Sequence, residues 1–427
     1  MEETHVVTCF LRNRAAVLLV RRSDAVGSYS GQWGAVAGHV APDPDDPDES
    51  DAATDPDAAA RREIAEETGL ADAVTLVRRG NSFPVADDDL DTRWVVHPYL
   101  FDCDSRDVRL DEEATESEWV PPTEILRRET VPDLWTSYDR VRPGADTVAD
   151  DRDHGSTYLS VRALETLRDE AALAVERDAG DWDALATLAR DLRAARPSMA
   201  VVANRVNRAM HVAADDRTPA AVERAAEDTI ADALDADDAA AAVAADEVDG
   251  GRLVTLSRSG TVREALRRAD PDGVLVAESR PGGEGVGVAE SLSADGTAVT
   301  LTADAALAHE LAGGDYDAVL VGADAVLPDG RAVNKVGTRA VALAAAREDV
   351  PLFVVAAAAK VSTDATPSLE RADPTDVYDD DAAIDVAAPL FDVTPADLVA
   401  GFCTEQGVLD ADDVAAVAAA HRDRAEW

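Results

Sequence analysis

The sequence is short of cationic charge. It has 40 Lys+Arg against 86 Asp+Glu over 427 residues, a formal charge of -46, and only two lysines, Lys335 and Lys360. A surface this acidic repels phosphate backbones and anionic lipid, which argues against direct nucleic-acid binding through a basic patch and against binding to a membrane surface. Cysteine is also scarce. Cys9, Cys103 and Cys403 form no CxxC pair, which favours a reducing compartment over a disulfide framework or a thiolate zinc site. No apolar run approaches the 18 residues of a membrane span, and Met-Glu-Glu-Thr-His lacks the positive start of a signal peptide. The expectation is a soluble, cytoplasmic protein. What is present is 46% apolar residues, enough to bury cores in two or three domains of ordinary size. The acidity then reads as salt adaptation of the halophile type, since at molar salt the Debye length falls to roughly 3 Å and self-repulsion is screened.

Along the chain the pattern changes three times. Val6 to Leu11 and Ala15 to Val20, joined by a polar Arg12-Asn13-Arg14 turn, read as a hairpin, and Trp94 to Phe101 as a further strand. Residues 43–57 are an acidic, solvated insertion. A boundary is expected at 141–155, which leaves 1–140 as one domain. From Leu159 to Val248 the spacing is helical, broken at Pro197 and restarted at Thr218-Pro219, giving a helical subdomain over 156–249. After Gly250-Gly251 come short apolar runs, Leu253–Leu256, Val274–Ala277, Ala298–Leu301, Ala318–Val321 and Leu352–Ala356, separated by helix-length segments. Strands without alternation joined by helices predict a Rossmann-like parallel sheet covered on both faces over 250–427. Ligands bind at the carboxyl ends of such strands.

Two groups of residues carry chemistry. Asp55, Pro56 and Gly69 have the places of an N-cap, a first helical residue and a C-terminal stop. On that helix Glu63, Glu66 and Glu67 stand at i, i+3 and i+4, so three carboxylates share one face. Such a face is either solvated or offset by a hard cation such as Mg2+, which takes carboxylate oxygens, water and phosphate. In the second half, each strand end is polar or glycine-rich: Ser257, Arg258, Ser259 and Gly260; Glu278 to Gly285 with Arg280; Gly322-Ala323-Asp324; Asn334 and Lys335 opening a helix; and Lys360. Strand ends carry turns in any fold, but helix-start amides, hydroxyls and these cations also suit an anion, so a phosphorylated small molecule is the ligand class expected.

Whole strings are more specific than single residues. Arg62-Glu63-Ile64-Ala65-Glu66-Glu67-Thr68-Gly69-Leu70 resembles the second half of the Nudix box, and Gly31 to Val40 resembles the strand and glycine that open it; Glu112–Val120 and Leu134-Trp135 extend the likeness over about residues 5–140. The resemblance implies an α/β/α sandwich in which Glu63, Glu66 and Glu67 hold Mg2+ or Mn2+, Arg62 orients a carboxylate, and water attacks a diphosphate linkage of a nucleoside diphosphate derivative. Gly38 and Arg62 are 24 positions apart, further than in the family. The box's first glutamate has no aligned counterpart, Glu49 being the nearest candidate.

Glu278-Ser-Arg-Pro, Gly322-Ala-Asp, Asn334-Lys-Val-Gly-Thr, Phe391-Asp-Val-Thr-Pro and Thr404-Glu-Gln-Gly resemble, in order, the translation initiation factor 2B alpha/beta/delta family, over about 155–420. That family includes ribose-1,5-bisphosphate and methylthioribose-1-phosphate isomerases. The resemblance makes Asp324 a catalytic residue and implies a dimer or larger oligomer. The isomerases' cysteine is replaced by Ser257, a far weaker acid than a thiol. The expectation is therefore an α+β Nudix hydrolase joined to an α/β domain that binds a sugar phosphate or nucleotide. The alternatives are a regulatory protein of the initiation-factor type, with initiation factor 2 as partner, or a ribose-1,5-bisphosphate isomerase-like enzyme with the Nudix domain as sensor.

Overall fold

The computed structural model describes residues 2–40, 55–151, 154–380 and 382–427. Most of the acidic stretch 43–57, including Glu49, lies outside the described residues. The chain divides into two compact units, 1–144 with 168–179 and 145–167 with 180–427, so the helix Ser156–Glu176 is shared out between them. No helix among the described residues is long and apolar enough to cross a membrane.

The first unit is built on the long strand Glu2–Asn13. It pairs in parallel with Thr92–Cys103 and antiparallel with Val36–His39 and Ala16–Arg22, inside an eight-stranded sheet. The hairpin turn falls at Arg14, whose φ is 59°, one step later than the polar triplet suggested. Val7, Cys9 and Leu11 alternate toward the helix Pro56–Thr68, where they meet Ala59, Ala60 and Ile64. Phe10, Val17 and Leu19 face the other way, onto Leu134 and Tyr138 of a second helix, Leu134–Asp139. The sheet is thus covered on both faces. Each fully buried aliphatic side chain contributes roughly 1.5–3 kcal/mol.

The second unit opens with helices that include Trp182–Ala195, Ala200–Ala213 and Pro219–Val248. The last begins as the sequence predicts: the Thr218 side chain accepts from the amide of Ala221, and Pro219 needs no hydrogen-bond acceptor. A seven-stranded sheet follows, in the order Val299–Thr302, Gly273–Ala277, Arg252–Thr255, Ala318–Val321, Leu352–Val355, Gly401–Thr404, Gly407–Leu409. All neighbours are parallel except the final hairpin. Apolar clusters lie on both faces, which is why these strands show no alternation. A small antiparallel sheet, Ala325–Val326, Ala332–Lys335 and Phe391–Thr394, stands apart. It corrects one expectation: Asn334 and Lys335 end a strand, and the helix starts at Thr338.

Candidate functional site

The helix Pro56–Thr68 starts where Asp55 accepts from the Asp57 amide at 3.0 Å and ends at Gly69, whose φ of 68° lets its N–H reach Ala65 O at 3.1 Å. Ile64 and Ala60 bury one face, and this rotation carries Glu67 inward with them: it is 6% exposed. Its Oε1 accepts from the Ala37 amide at 3.1 Å, across to the strand Val36–His39. Burial, and then the charges of Glu63, Glu113 and Asp111, push the Glu67 carboxyl up to about 8 against the pull of the Ala37 amide.

Glu63 lies against the backbone of Gly38, where a Cβ would overlap its carboxylate. Burial raises its carboxyl, opposed by Arg62. Arg62 Nη2 donates both to Glu63 Oε1 and to His39 O, each at 2.9 Å, and so ties the helix to the same strand. Glu66 stands outside this packing. Its side chain is 60% exposed and 4.0 Å from Arg62 Nε. Among the described residues no three His, Cys, Asp or Glu converge closely enough to form a ready-made metal cage. The donor set nevertheless fits a hard divalent cation: the charge of Glu63 helps raise the packed Glu67 carboxyl, Glu66 is close by on the same helix, and the Ala37 amide donates to Glu67. Cys9, beneath them, is fully buried, and burial with the charges of Glu67 and Glu63 holds its thiol protonated. It is no nucleophile.

In the second unit, Ser257 has a φ of 64°, and its amide donates to Ser279 Oγ at 2.6 Å. Ser259 caps the helix Gly260–Ala269, accepting from the Val262 amide at 3.3 Å. A Cβ on Gly322 would meet Ser259 Oγ at 2.9 Å and come within 4.0 Å of Asn334 Oδ1. The glycine therefore allows these strand ends to close on one another. Asn334 donates to Thr338 Oγ1 at 3.0 Å. Asp324 is two residues beyond Gly322, just after the strand Ala318–Val321. Burial raises its carboxyl and Lys360 opposes the rise, while burial lowers the Lys360 amine and Asp324 opposes that. Lys360 Nζ donates to Ala323 O at 2.7 Å. Arg258 and Arg280 lie outward; Arg280 is 67% exposed and 3.4 Å from Glu278.

Several of the donors expected to receive an anion already hold carboxylates of this chain. Lys335 Nζ donates to Glu284 Oε1 at 2.7 Å and to Pro281 O at 2.6 Å. Asp304 accepts from the amides of Ser279 and Arg280 at 2.8 and 2.6 Å. Asp392 accepts from the amides of Gly337 and Arg339 at the start of the helix Thr338–Arg347, and Glu405 from that of Ala358. Sequence reasoning named the cations and amides but not these partners, because most are far away in the chain. It also missed Arg196, which precedes the helix-breaking Pro197. Arg196 is 5% exposed, contacts Glu370, and its charge reaches Asp324.

All three cysteines are free and buried. Cys403 sits in the same parallel sheet as the Ser257 strand but three strands away, and burial pushes its thiol to about 12. It lies away from the end of the strand Arg252–Thr255 that carries Ser257.

A family model described as the NUDIX domain matches residues 3–141, and one described as the Initiation factor 2 subunit family matches residues 152–411. The ribose 1,5-bisphosphate isomerase of Haloferax volcanii is 32% identical over 300 residues, 63% of this chain and 90% of that one. The methylthioribose-1-phosphate isomerase of Thermosynechococcus vestitus is 36% identical over 167 residues, 36% of this chain; the chain spans 47%, about half, of that relative's length. Among solved structures, a translation initiation factor eIF-2B from Pyrococcus horikoshii OT3 matches with a TM-score of 0.53 and 26% identity, covering 62% of this chain and 94% of that one. A 5-methylthioribose 1-phosphate isomerase from the same organism shares the fold, with a TM-score of 0.53 at 21% identity over 72% of this chain and 89% of that one. The chain belongs to the Initiation factor 2 subunit family and carries a NUDIX domain ahead of that region.

Proposed function

We propose that the first unit hydrolyses a nucleoside diphosphate derivative with Mg2+ or Mn2+, and that the second binds a phosphorylated small molecule, a sugar phosphate or a nucleotide. The observation that carries the first part is the pair Glu63 and Glu67, packed against the strand of Gly38 amid like charge. When bound, the cation polarises a phosphoryl oxygen and acidifies water. Glu63, Glu66 and Glu67 would hold it. Arg62 fixes Glu63 by a charge-assisted bond and keeps the helix seated on the His39 strand, so Glu63 is held in place before any cation arrives, whereas the exposed Glu66 would have to close on it. The strand amide of Ala37 does the same for Glu67.

The test is turnover of a panel of nucleoside diphosphate derivatives with and without Mg2+ in molar KCl. Metal-dependent cleavage, lost in the double variant Glu66→Gln with Glu67→Gln, is the expected result. No turnover across the panel, or a double variant as active as the parent, refutes it.

A second reading rests on the buried pair Asp324 and Lys360. It makes the second unit an isomerase of ribose 1,5-bisphosphate, the substrate named by the Haloferax volcanii relative. Ser257 at the cysteine position weighs against it, as a hydroxyl does poorly in proton transfer but well as a phosphate donor. Formation of ribulose 1,5-bisphosphate that disappears in Asp324→Asn decides for isomerisation. Binding of initiation factor 2 by the purified chain would instead favour regulation. We place the protein in the cytoplasm of a salt-adapted cell, as a dimer or larger oligomer.

A further inference from the structure

The chain has 7 histidines, and two of them meet on the first sheet. In the parallel pairing of Glu2–Asn13 with Thr92–Cys103, His5 stands opposite Val95, and Val7 opposite His97. Side chains alternate along a strand, so His5, Val7 and His97 share one face. It is the face on which Val7, Cys9 and Tyr99 join the core beneath the helix Pro56–Thr68. The two rings lie where that core ends: Val7 is fully buried, whereas the His5 side chain is 47% exposed. They reach toward each other diagonally across the ladder, His5 Nδ1 standing 3.0 Å from His97 Nε2. The His5 backbone is held from the other side, its carbonyl accepting from the Val40 amide at 2.9 Å.

Two ring nitrogens aimed at each other can share a proton or chelate a metal ion. Three observations favour chelation. Nitrogens held about 2.0–2.1 Å from an ion stand about 3.3 Å apart in a tetrahedral site and about 2.9 Å apart in a square-planar one. A separation of 3.0 Å lies between these, so either geometry needs a shift of only a few tenths of an ångström. The remote nitrogen of His5, Nε2, lies 3.6 Å from Glu3 Oε1, and a carboxylate on the remote N–H is what leaves the other nitrogen's lone pair free to ligate. Burial, and then the charge of His5, lower the His97 pKa from 6.5, which keeps that ring in its unprotonated, ligating form at neutral pH.

The pair is separate from the carboxylates of the metal helix. The strand Glu2–Asn13 runs between His97 and Gly38, since Val7 pairs with one on each side. Its chemistry differs too: imidazole suits Zn2+, Ni2+ and Cu2+, whereas Mg2+ takes oxygen. His39 is not a third member, because it pairs with Val6, on the opposite face, and its ring lies against Trp94.

We infer that His5 and His97 chelate a divalent transition-metal ion of the Zn2+ class, with Glu3 orienting His5 through its remote nitrogen and water completing the coordination. His97 then carries its proton on Nδ1. The ion cross-links the strand Glu2–Asn13 to Thr92–Cys103. This site stands whether or not the first unit hydrolyses a diphosphate.

The experiment is titration of Zn2+ into the EDTA-treated, desalted full chain in molar KCl, with millimolar Mg2+ present to fill hard oxygen sites, read by competition with a chromophoric chelator. One site per chain is expected. His5→Gln or His97→Gln should weaken it more than about a hundredfold and Glu3→Gln about tenfold, whereas His39→Gln should leave it unchanged. Electron paramagnetic resonance with one equivalent of Cu2+ should show two imidazole nitrogens in the parent and one in either variant of the pair. Without metal these variants should unfold at the parent's urea midpoint, and Zn2+ should raise that midpoint in the parent but not in them. Zn2+ binding that both variants leave unchanged overturns the inference, as does sensitivity to one histidine and not the other. A parent Cu2+ spectrum without two imidazole nitrogens overturns it with no variant needed.

Discussion

Removing the divalent cation from the first unit should make its stability depend steeply on pH, through Glu67. The folded carboxyl stands at about 8 against an ordinary value of 4.5. The folded state therefore retains a proton that the unfolded chain has lost between those values. Stability linked to this group is complete below pH 4.5 and drains away as pH rises through 8. At about 1.4 kcal/mol per pH interval, the full loss is about 5 kcal/mol, the scale of a small domain's whole stability. A bound cation reverses the sign, because it needs the charged carboxylate, so stabilisation by added Mg2+ should grow from pH 5 to pH 8. The assay is urea unfolding of the EDTA-treated chain, with the first unit followed by amide exchange of peptides from 56–70, corrected for intrinsic exchange. Glu67→Gln should flatten the profile and, without metal, be more stable than the parent at pH 8. A flat parent profile, or a variant that follows the parent, refutes the reasoning.

Gly38→Ala should cost at least about tenfold in metal-dependent turnover, since a Cβ overlaps the Glu63 carboxylate and forces it off the strand; a kinetic assay showing parental turnover would count against that seat. Lys360→Met should destabilise the second unit by about 3 kcal/mol, because Asp324 loses its buried counter-charge. Adding Asp324→Asn should restore part of that in urea unfolding. His421 is 6% exposed, and burial lowers its pKa from 6.5 despite its bond to Ala358 O. Its contribution is thus present above pH 6.5 and lost as pH falls below it. The second unit's urea midpoint should drop toward pH 5.5, less so in His421→Gln.

Local signals were legible because the chemistry that makes them is local. Asp55, Pro56 and Gly69 bound the metal-helix candidate, and Thr218-Pro219 starts a helix, each through contacts within four residues. The parallel sheet was readable from strands such as Ala318–Val321, apolar at every position because both faces are covered. The small sheet was not, since Ala332–Lys335 takes its pairing from Phe391–Thr394, more than fifty residues away. The same distance hid Glu370 from Arg196 and Asp392 from Gly337. Spacing placed Glu63, Glu66 and Glu67 on one helix. Only packing separates them: Ile64 turns Glu67 inward while Glu66 stays in solvent.

The surplus of acid is handled differently in the two units. In the first, carboxylates face one another with little cationic support, an arrangement that a cation completes. In the second, Lys335 and the amides of Ser279, Arg280, Gly337, Arg339 and Ala358 already hold carboxylates of the chain itself, so an anion arriving at these donors must compete. Salt separates the two kinds of contact. At molar KCl an exposed pair such as Arg280 with Glu278 is screened, whereas Lys335 with Glu284 is shielded by burial of the ammonium at 4% exposure. This also accounts for why these two lysines remain in a chain that otherwise uses arginine. Lys335 and Lys360 each place a compact ammonium against a backbone carbonyl, Pro281 O or Ala323 O, in a buried space that a planar five-donor fork would leave with unsatisfied N–H groups. Replacing either by arginine keeps the charge and loses the fit.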